Sequence, residues 1–144
     1  MRAALAQILP SLAGATLVGD GALAFSGVST DSRNVAAGSL FVALRGEVFD
    51  AHAFLAQVAD KGAAAVVVEA LPDGWDAAKV AAIIVPDTLV ALGQIANHWR
   101  RQFAMPVIGV TEINQATGKT TGNITTILGG GGKDIEAPYI TRDD

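Results

Sequence analysis

The architecture follows from residues 28–69, which read VSTDSRNVAAGSLFVALRGEVFDAHAFLAQVADKGAAAVVVE. The apolar run at 39–44 (SLFVAL) predicts a buried strand, because no polar residue interrupts its large apolar side chains. Residues 51–61 place apolar side chains at helical spacing, and Gly62 stands where a helix C-terminal cap is expected. A second apolar run at 63–70 predicts another buried strand. Strand, helix and strand in succession predict a parallel pair joined by a right-handed crossover.

Further elements flank this unit on both sides. The short ones are a helix at 3–9 and strands at 15–19 and 22–29. AAIIVP at 81–86 predicts a further buried strand, and 87–103 predicts the longest helix, with Asp87 as its N-cap. The side chains expected on the inner face of that helix are Leu89, Leu92, Ile95, Ala96 and Trp99. The whole pattern predicts an α/β layer fold.

Composition excludes several classes of protein. The chain has 144 residues, a net charge of −4 and a pI of about 5.0, which argues against a nucleic-acid-binding surface. Without cysteine it has no disulfide, thiolate metal site or cysteine nucleophile, and two histidines give little support to a histidine metal cluster. Mean hydropathy is +0.40, yet no apolar stretch reaches the length of a membrane span. We expect a soluble, cytoplasmic protein with neither nucleic-acid nor membrane partners.

Two polar segments are candidate binding loops. Residues 29–33 (STDSR) are expected to form a polar turn between two strands, and its TDSR part is here called the 30–33 turn. The bonds that aspartate and serine make to nearby backbone N–H groups are a sufficient structural reason for such a turn. Residues 45–47 follow a buried strand and precede a helix, where α/β sheets tend to hold ligands. Asp50 is the expected N-cap of that helix, with His52 in its first turn. A histidine there is more often a capping or surface residue than a catalyst, because catalysis needs a positioned partner.

A third candidate is the run GKTT at 118–121, which follows an expected strand at 106–111. At a helix N-terminus after a strand, Lys119 could reach terminal phosphates and Thr120 could hold Mg²⁺. The regular phosphate loop has a glycine five positions before the first glycine of this run, where Ile113 stands. The alternative, a threonine-rich turn with an exposed lysine, therefore stays open.

The ordered elements T-D-S-R, G-S-L-F-V-A-L-R-G-E and F-D-A-H-x-F within 28–69 resemble the N-terminal domain of the Mur ligases. Residues 86–111, PDTLVALGQIANHWRRQFAMPVIGVT, are similar to that family's passage into its ATP-binding domain. The resemblance runs over 13–111 and returns at 118–121. F-D-A-H, where a relative usually has D-G-H, favours the branch that adds D-alanyl-D-alanine to UDP-N-acetylmuramoyl-tripeptide.

The resemblance implies a bacterial cytoplasmic enzyme of peptidoglycan precursor synthesis. Such ligases use ATP and Mg²⁺ to convert the substrate's terminal carboxylate to an acyl phosphate, which the amine of D-alanyl-D-alanine attacks. It also implies that the N-terminal domain holds the UDP end of the substrate. By motif position, the residues expected to face uridine and its phosphates are Thr30, Ser32, Arg33, Glu47, Val48 and Phe49. Those expected to hold the ATP phosphates are Gly118, Lys119, Thr120 and Thr121, with Thr120 also a Mg²⁺ ligand.

Within the first group we rank Thr30 and Ser32 highest, because a turn of hydroxyls can bond a uracil edge or a phosphate. Glu47 would repel a diphosphate unless its side chain points away. The family's phosphate loop reads T-G-x-N-G-K-T-T, whereas here Glu112 replaces the first glycine and 115–117 are inserted. The carboxylate and the longer loop both oppose phosphate binding.

A complete ligase of this family is several times longer than this chain. The resemblance therefore predicts three segments: a small α/β UDP-substrate-binding domain with a mixed sheet at 1–85, an incomplete start of the P-loop-like ATP-binding domain at 86–128, and a flexible tail at 129–144. On this interpretation the chain is a fragment or truncated form of the ligase that at most binds the UDP part of the substrate and carries no catalytic residue. ATP and D-alanyl-D-alanine would then be partners only of a complete ligase. The alternatives are a stand-alone nucleotide-binding module using 118–121, or a non-catalytic truncation product.

Overall fold

A mixed sheet forms the centre of the structure, a computed structural model that describes residues 2–46 and 48–104. The strands are β1 Arg2–Ala4, β2 Thr16–Val18, β3 Ala24–Ser26, β4 Val28–Ser29, β5 Leu40–Val42, β6 Ala65–Val68 and β7 Ala81–Ile84. The helices are α1 Leu5–Ile8, α2 Leu55–Asp60 and α3 Thr88–Arg100, and short 3₁₀ turns lie at Leu9–Ser11, Ser32–Asn34 and Ala51–Phe54. The predicted strand at 106–111, the run at 118–121 and the tail at 129–144 lie outside the described residues.

The main sheet has five strands in the order β2-β7-β6-β5-β4. Strands β4, β5, β6 and β7 are mutually parallel, and β2 pairs antiparallel with β7. Strands β1 and β3 form a separate antiparallel pair. This architecture confirms the predicted mixed α/β sheet.

The central strands are apolar on both faces because both faces are covered. In β5, Leu40 and Val42 belong to one core cluster and Phe41 to the other, as the alternation of side chains along a strand requires. Helices α1 and α3 contribute to the first cluster, and α2 contributes Leu55 and Val58 to the second. An uninterrupted apolar run is therefore the correct signature for these strands.

The N-terminal region differs from the prediction for 3–9. Residues 2–4 form β1, whose Ala3 lies opposite the buried Phe25, so strand pairing replaces the first helical turn. The predicted strand at 22–29 is two strands, because Gly27 adopts φ +81° between them. Strand β3 then pairs with β1, whereas β4 joins the main sheet.

Helix α3 begins as predicted and buries part of its predicted inner face, since Ile95 is buried and Leu92 packs against the first core cluster, whereas Ala96 is exposed. The backbone N–H of Val90 donates to Asp87 Oδ1 at 2.9 Å, which confirms Asp87 as the N-cap. The buried residues are Thr88, Ala91 and Ile95, whereas Leu89 is 67% exposed, so its predicted inward position is wrong. The apolar residues of α3 fit more than one helical face, and the burial of Thr88 selects this one.

By internal contacts the chain divides into two compact units, Met1–Trp99 and Arg100–Asp144. This division concerns packing alone. The assignment of 1–85 to the UDP substrate and of 86–128 to ATP stays a prediction. None of the helices found in the described part of the chain is long and apolar enough to cross a membrane.

Candidate functional site

The candidate site lies at the edge of the sheet where the parallel strands end. Because β4 to β7 run in one direction, the segments that follow them emerge at the same edge. The 30–33 turn follows β4, residues 44–51 follow β5, and Glu69 follows β6. The start of α3 follows β7. In open α/β sheets, ligands bind at this edge.

Asp31 organises the 30–33 turn. Its Oδ1 accepts the backbone N–H of Arg33 at 2.9 Å, which caps the 3₁₀ turn Ser32–Asn34. The guanidinium of Arg33 donates to Oδ1 from Nε at 2.9 Å and to Oδ2 from Nη2 at 3.0 Å. These side-chain bonds, followed by the backbone bond, lower the pKa of Asp31 to about 2. The charge of Arg33 is thus already partnered, although 84% of its side chain is exposed.

The same turn is also hydrogen-bonded by a lysine that the sequence did not single out. Lys61, at the C-terminus of α2, donates from Nζ to the carbonyl oxygens of Ser32 at 2.8 Å and Arg33 at 2.9 Å. Ser32 is 7% exposed, whereas Thr30 is exposed. Of the two hydroxyls ranked highest, Thr30 faces solvent and Ser32 is part of the packed turn. A lysine at a helix C-terminus signals favourable charge at that end, which gives no hint of a partner 29 residues earlier.

Residues 44–51 form a small hairpin, here called the 44–51 hairpin. The N–H of Ala51 donates to Leu44 O at 3.0 Å, and the N–H of Gly46 donates to Phe49 O at 2.7 Å. Between these bonds Arg45 and Asp50 form an antiparallel bridge. The segment predicted as a ligand loop is therefore a stiffened turn with a defined tip.

The residues of the hairpin tip that the structure describes are apolar and exposed. Val48 is fully exposed and Phe49 is 54% exposed, while Glu47 lies outside the described residues. The ring of Phe49 stacks on that of Phe54, with centroids 5.5 Å apart and planes 15° apart. The two rings and Val48 therefore give this end of the hairpin an exposed apolar surface. Phe54, which is 37% exposed, was not among the predicted site residues.

The base of the hairpin is joined to β6 by four polar side chains. Arg45 donates from Nε to Asp50 Oδ2 and from Nη1 to Glu69 Oε2, both at 2.9 Å. Asp50 Oδ1 lies 2.6 Å from His52 Nδ1 and accepts the His52 backbone N–H at 2.9 Å. The Glu69 backbone N–H donates to His52 Nε2 at 2.9 Å, which closes a ring of contacts, here called the 45–50–52–69 ring.

Asp50 accepts three of the bonds of this ring. Its expected role as N-cap of the helix is confirmed by the bond from the His52 backbone N–H. That bond first, with the side chains of His52 and Arg45 adding to it, lowers the pKa of Asp50 to about 2. Asp50 is therefore a carboxylate at every pH near neutrality.

The predicted ATP residues are not placed by the structure. Gly118, Lys119, Thr120 and Thr121 lie outside the described residues, so the ATP and Mg²⁺ predictions stay predictions. Within 2–46 and 48–104, no three histidine or acidic side chains gather as a metal-binding group would require.

Comparison with known sequences adds the family. A family model described as Mur ligase family, catalytic domain, matches residues 24–100. The UDP-N-acetylmuramoyl-tripeptide–D-alanyl-D-alanine ligase of Synechocystis sp. is 47% identical over 94 residues, which are 65% of this chain and 20% of that protein. The UDP-N-acetylmuramoyl-L-alanyl-D-glutamate–2,6-diaminopimelate ligase of Cytophaga hutchinsonii is 44% identical over 93 residues, 63% of this chain and 18% of that protein.

Solved structures agree with the sequence relatives. MurF from Acinetobacter baumannii matches with a TM-score of 0.62 and 34% identity, covering 71% of this chain and 22% of that one. MurF ligase from Thermotoga maritima in complex with ADP matches with a TM-score of 0.51 and 28% identity, covering 58% of this chain and 18% of that one. This chain spans about a fifth of the length of these relatives. The chain belongs to the Mur ligase family.

Proposed function

We propose that this chain binds the UDP part of UDP-N-acetylmuramoyl-tripeptide at the strand-end edge of its sheet. It would serve as the nucleotide-binding portion of a ligase that adds D-alanyl-D-alanine during peptidoglycan precursor synthesis in the bacterial cytoplasm. The observation that carries the proposal is the exposed Phe49 ring, stacked on Phe54 at the hairpin tip, on the same edge as the 30–33 turn. Family membership supplies the class of ligand.

The two halves of this edge offer complementary chemistry. An aromatic face stacks on a planar base without regard to the base's hydrogen-bonding edge, and one such contact contributes about 1–3 kcal/mol. The exposed hydroxyl of Thr30 can donate to or accept from the uracil edge or a phosphate oxygen. Ser32 supports this role by shaping the turn, since its side chain is buried.

Charge limits what the remaining residues contribute. The guanidinium of Arg33 already bonds both oxygens of Asp31, so a diphosphate must share it with a carboxylate. Val48 adds apolar surface at the tip, and Glu47 must direct its carboxylate away from the phosphates. We therefore assign the nucleoside end to the hairpin tip and the hydroxyl contacts to Thr30.

The proposal for ATP rests on sequence and on relatives. A MurF structure that resembles this chain holds ADP. In this chain Lys119 would bind the phosphates, with Gly118 and Thr121 beside it, and Thr120 would hold Mg²⁺. Mg²⁺ with ATP would supply activation of a carboxylate. Glu112 and the inserted residues 115–117 oppose this binding.

Isothermal titration calorimetry on the 144-residue chain tests the proposal. We expect saturable binding of UDP and of UDP-N-acetylmuramoyl-tripeptide with similar affinities, since both contacts lie at the UDP end. Phe49→Ala should weaken binding about tenfold, the equivalent of one stacking contact. Val90→Ala is the matched control, because Val90 is also 54% exposed but lies on α3. No heat with either ligand at millimolar concentration would refute the proposal.

Titration with ATP separates the alternatives. The stand-alone nucleotide-binding module would be favoured if the chain binds ATP but not UDP and if Lys119→Ala abolishes the ATP binding. The choice between the D-alanyl-D-alanine branch and the diaminopimelate branch requires the complete ligase, because the hairpin and turn contact only the UDP end in this proposal.

A further inference from the structure

His52 is bonded on both ring nitrogens, and its side chain is only 12% exposed. On one side the backbone N–H of Glu69 points at Nε2 at 2.9 Å. On the other side Nδ1 lies 2.6 Å from Asp50 Oδ1. His52 is not among the residues proposed to contact the nucleotide, so these two bonds indicate a different role.

The two contacts determine where the ring proton lies. A backbone N–H can only donate, so Nε2 must present its lone pair and carry no hydrogen. The single proton of the neutral imidazole then lies on Nδ1 and is donated to the carboxylate of Asp50. Among the described residues, the carboxylate of Asp50 contacts the imidazole directly, and Arg45 bonds both that carboxylate and the carboxylate of Glu69. The doubly protonated ring would lose the Glu69 bond, because it has no acceptor.

The imidazole of His52 connects two loops. Asp50 belongs to the 44–51 hairpin, and Glu69 ends the neighbouring strand β6. Through His52 the backbone of Glu69 is connected to Asp50, and through Asp50 to Arg45 on the opposite arm of the hairpin. The Arg45–Glu69 ion pair is a second connection between the base of the hairpin and the residue that follows β6. A tip carried on such a base loses little additional freedom when a ligand binds.

We propose that His52, held as the neutral Nδ1–H tautomer, is a positioning residue that aims the tip of the 44–51 hairpin at the nucleotide. This inference rests on the proposed function for its ligand, whereas the tautomer and the bracing concern the free protein. His52 touches neither uridine nor phosphate in this proposal. It acts through Asp50 and the hairpin backbone.

Three substitutions divide the role of the ring. His52→Gln can supply an acceptor at the position of Nε2, His52→Asn can supply a donor at the position of Nδ1, and His52→Leu supplies neither. We expect the dissociation constant for UDP to rise about tenfold in the leucine variant and about threefold in each amide variant, because each amide keeps one of the two bonds. Ile8→Val, in the core cluster away from the hairpin, is the control for loss of stability alone.

Two readouts on the 144-residue chain make the outcome decisive. Nitrogen-15 spectra of the wild-type ring should show the proton on Nδ1, and amide exchange at Gly46, which bonds Phe49 O, should accelerate in His52→Leu and not in Ile8→Val. A proton on Nε2, or unchanged exchange at Gly46, would overturn the positioning role. So would a leucine variant that melts earlier but binds UDP as tightly as the wild type. A wild type that shows the tautomer and the protected Gly46 amide but does not bind UDP refutes the proposed function and leaves the bracing established.

Discussion

Lys61→Met removes the side-chain ammonium at the C-terminus of α2. The two hydrogen bonds that this ammonium makes to the 30–33 turn are lost with it. The ammonium donates to Ser32 O at 2.8 Å and to Arg33 O at 2.9 Å. Methionine is a similarly long, unbranched side chain, so the apolar part of the contact remains. Two carbonyl oxygens lose a charged donor, and the turn loses its link to the helix.

The size of the effect follows from the exposure of each bond. A hydrogen bond to a charged group contributes about 1.5–3 kcal/mol when it is shielded. The bond to Ser32 O is partly buried, whereas water can replace the exposed bond to Arg33 O. Counting the first at the low end of the range gives a loss of about 1.5 kcal/mol. For a unit the size of Met1–Trp99 this lowers the melting temperature by about 6–12 °C.

Urea unfolding followed by circular dichroism measures this loss on the full chain. Lys79→Met is the control, because its ammonium is 3.7 Å from Asp60 Oδ1 and its side chain is 62% exposed, so the expected loss is below about 0.5 kcal/mol. Lys61→Arg keeps the charge and should recover part of the stability. UDP affinity should fall in Lys61→Met as the turn loosens. Equal losses for the two methionine variants would refute the reasoning.

Four further substitutions have defined outcomes. The pKa of Asp50 lies at about 2 against an ordinary 3.8, so its contribution to the free energy of unfolding is present above pH 3.8 and is lost as the pH falls towards 2. Stability should therefore fall less steeply with acid in Asp50→Asn. An unchanged dependence of stability on pH would contradict this expectation. Gly19→Ala should destabilise the protein by about 1–3 kcal/mol, since φ is +107° and a Cβ would lie 2.8 Å from Ala77 O. Gly93 lies on α3 with open space around it, so Gly93→Ala should stabilise the protein by about 0.5–1 kcal/mol in the same urea assay. Phe41→Ala empties a fully buried position and should cost about 3–5 kcal/mol by chemical denaturation, so a loss below about 1 kcal/mol would count against the packing described.

The centre of the fold was predictable because its signals are local. Strands β5 and β6 lie inside the uninterrupted apolar runs, and α2 with the preceding 3₁₀ turn fills the predicted helix at 51–61. Two-sided burial produces such runs directly. The Asp50 and Asp87 caps are confirmed for the same reason, because each cap depends on residues close in sequence.

The N-terminal elements were not predictable in this way. The helical pattern of 3–9 is real over Leu5–Ile8, but whether Arg2–Ala4 continue it depends on a partner strand more than 20 residues away. The face of α3 likewise depends on which residues meet the sheet. In both regions tertiary contacts override a pattern that is locally ambiguous.

The candidate site shows the same division. The sequence indicated that 45–47 lie in a ligand-type loop, and the hairpin is where that prediction placed it. The 45–50–52–69 ring could not be predicted, because Glu69 comes from the end of another strand and bonds His52 with its backbone. Lys61 was hidden for a similar reason. Roles of the individual ligand residues remain predictions that the binding experiments decide.

Both outermost strands of the main sheet are short, since β2 has three residues and β4 has two. Each edge therefore offers only a few backbone groups to a strand from another molecule, which is too little to fix a register. The shortness of these two strands therefore disfavours growth of the sheet by strand addition. If this chain associates at high concentration, we expect the contact to involve exposed side chains such as Leu89 and Val90 rather than edge pairing. Light scattering of Leu89→Ser and Val90→Ser variants would distinguish the two routes.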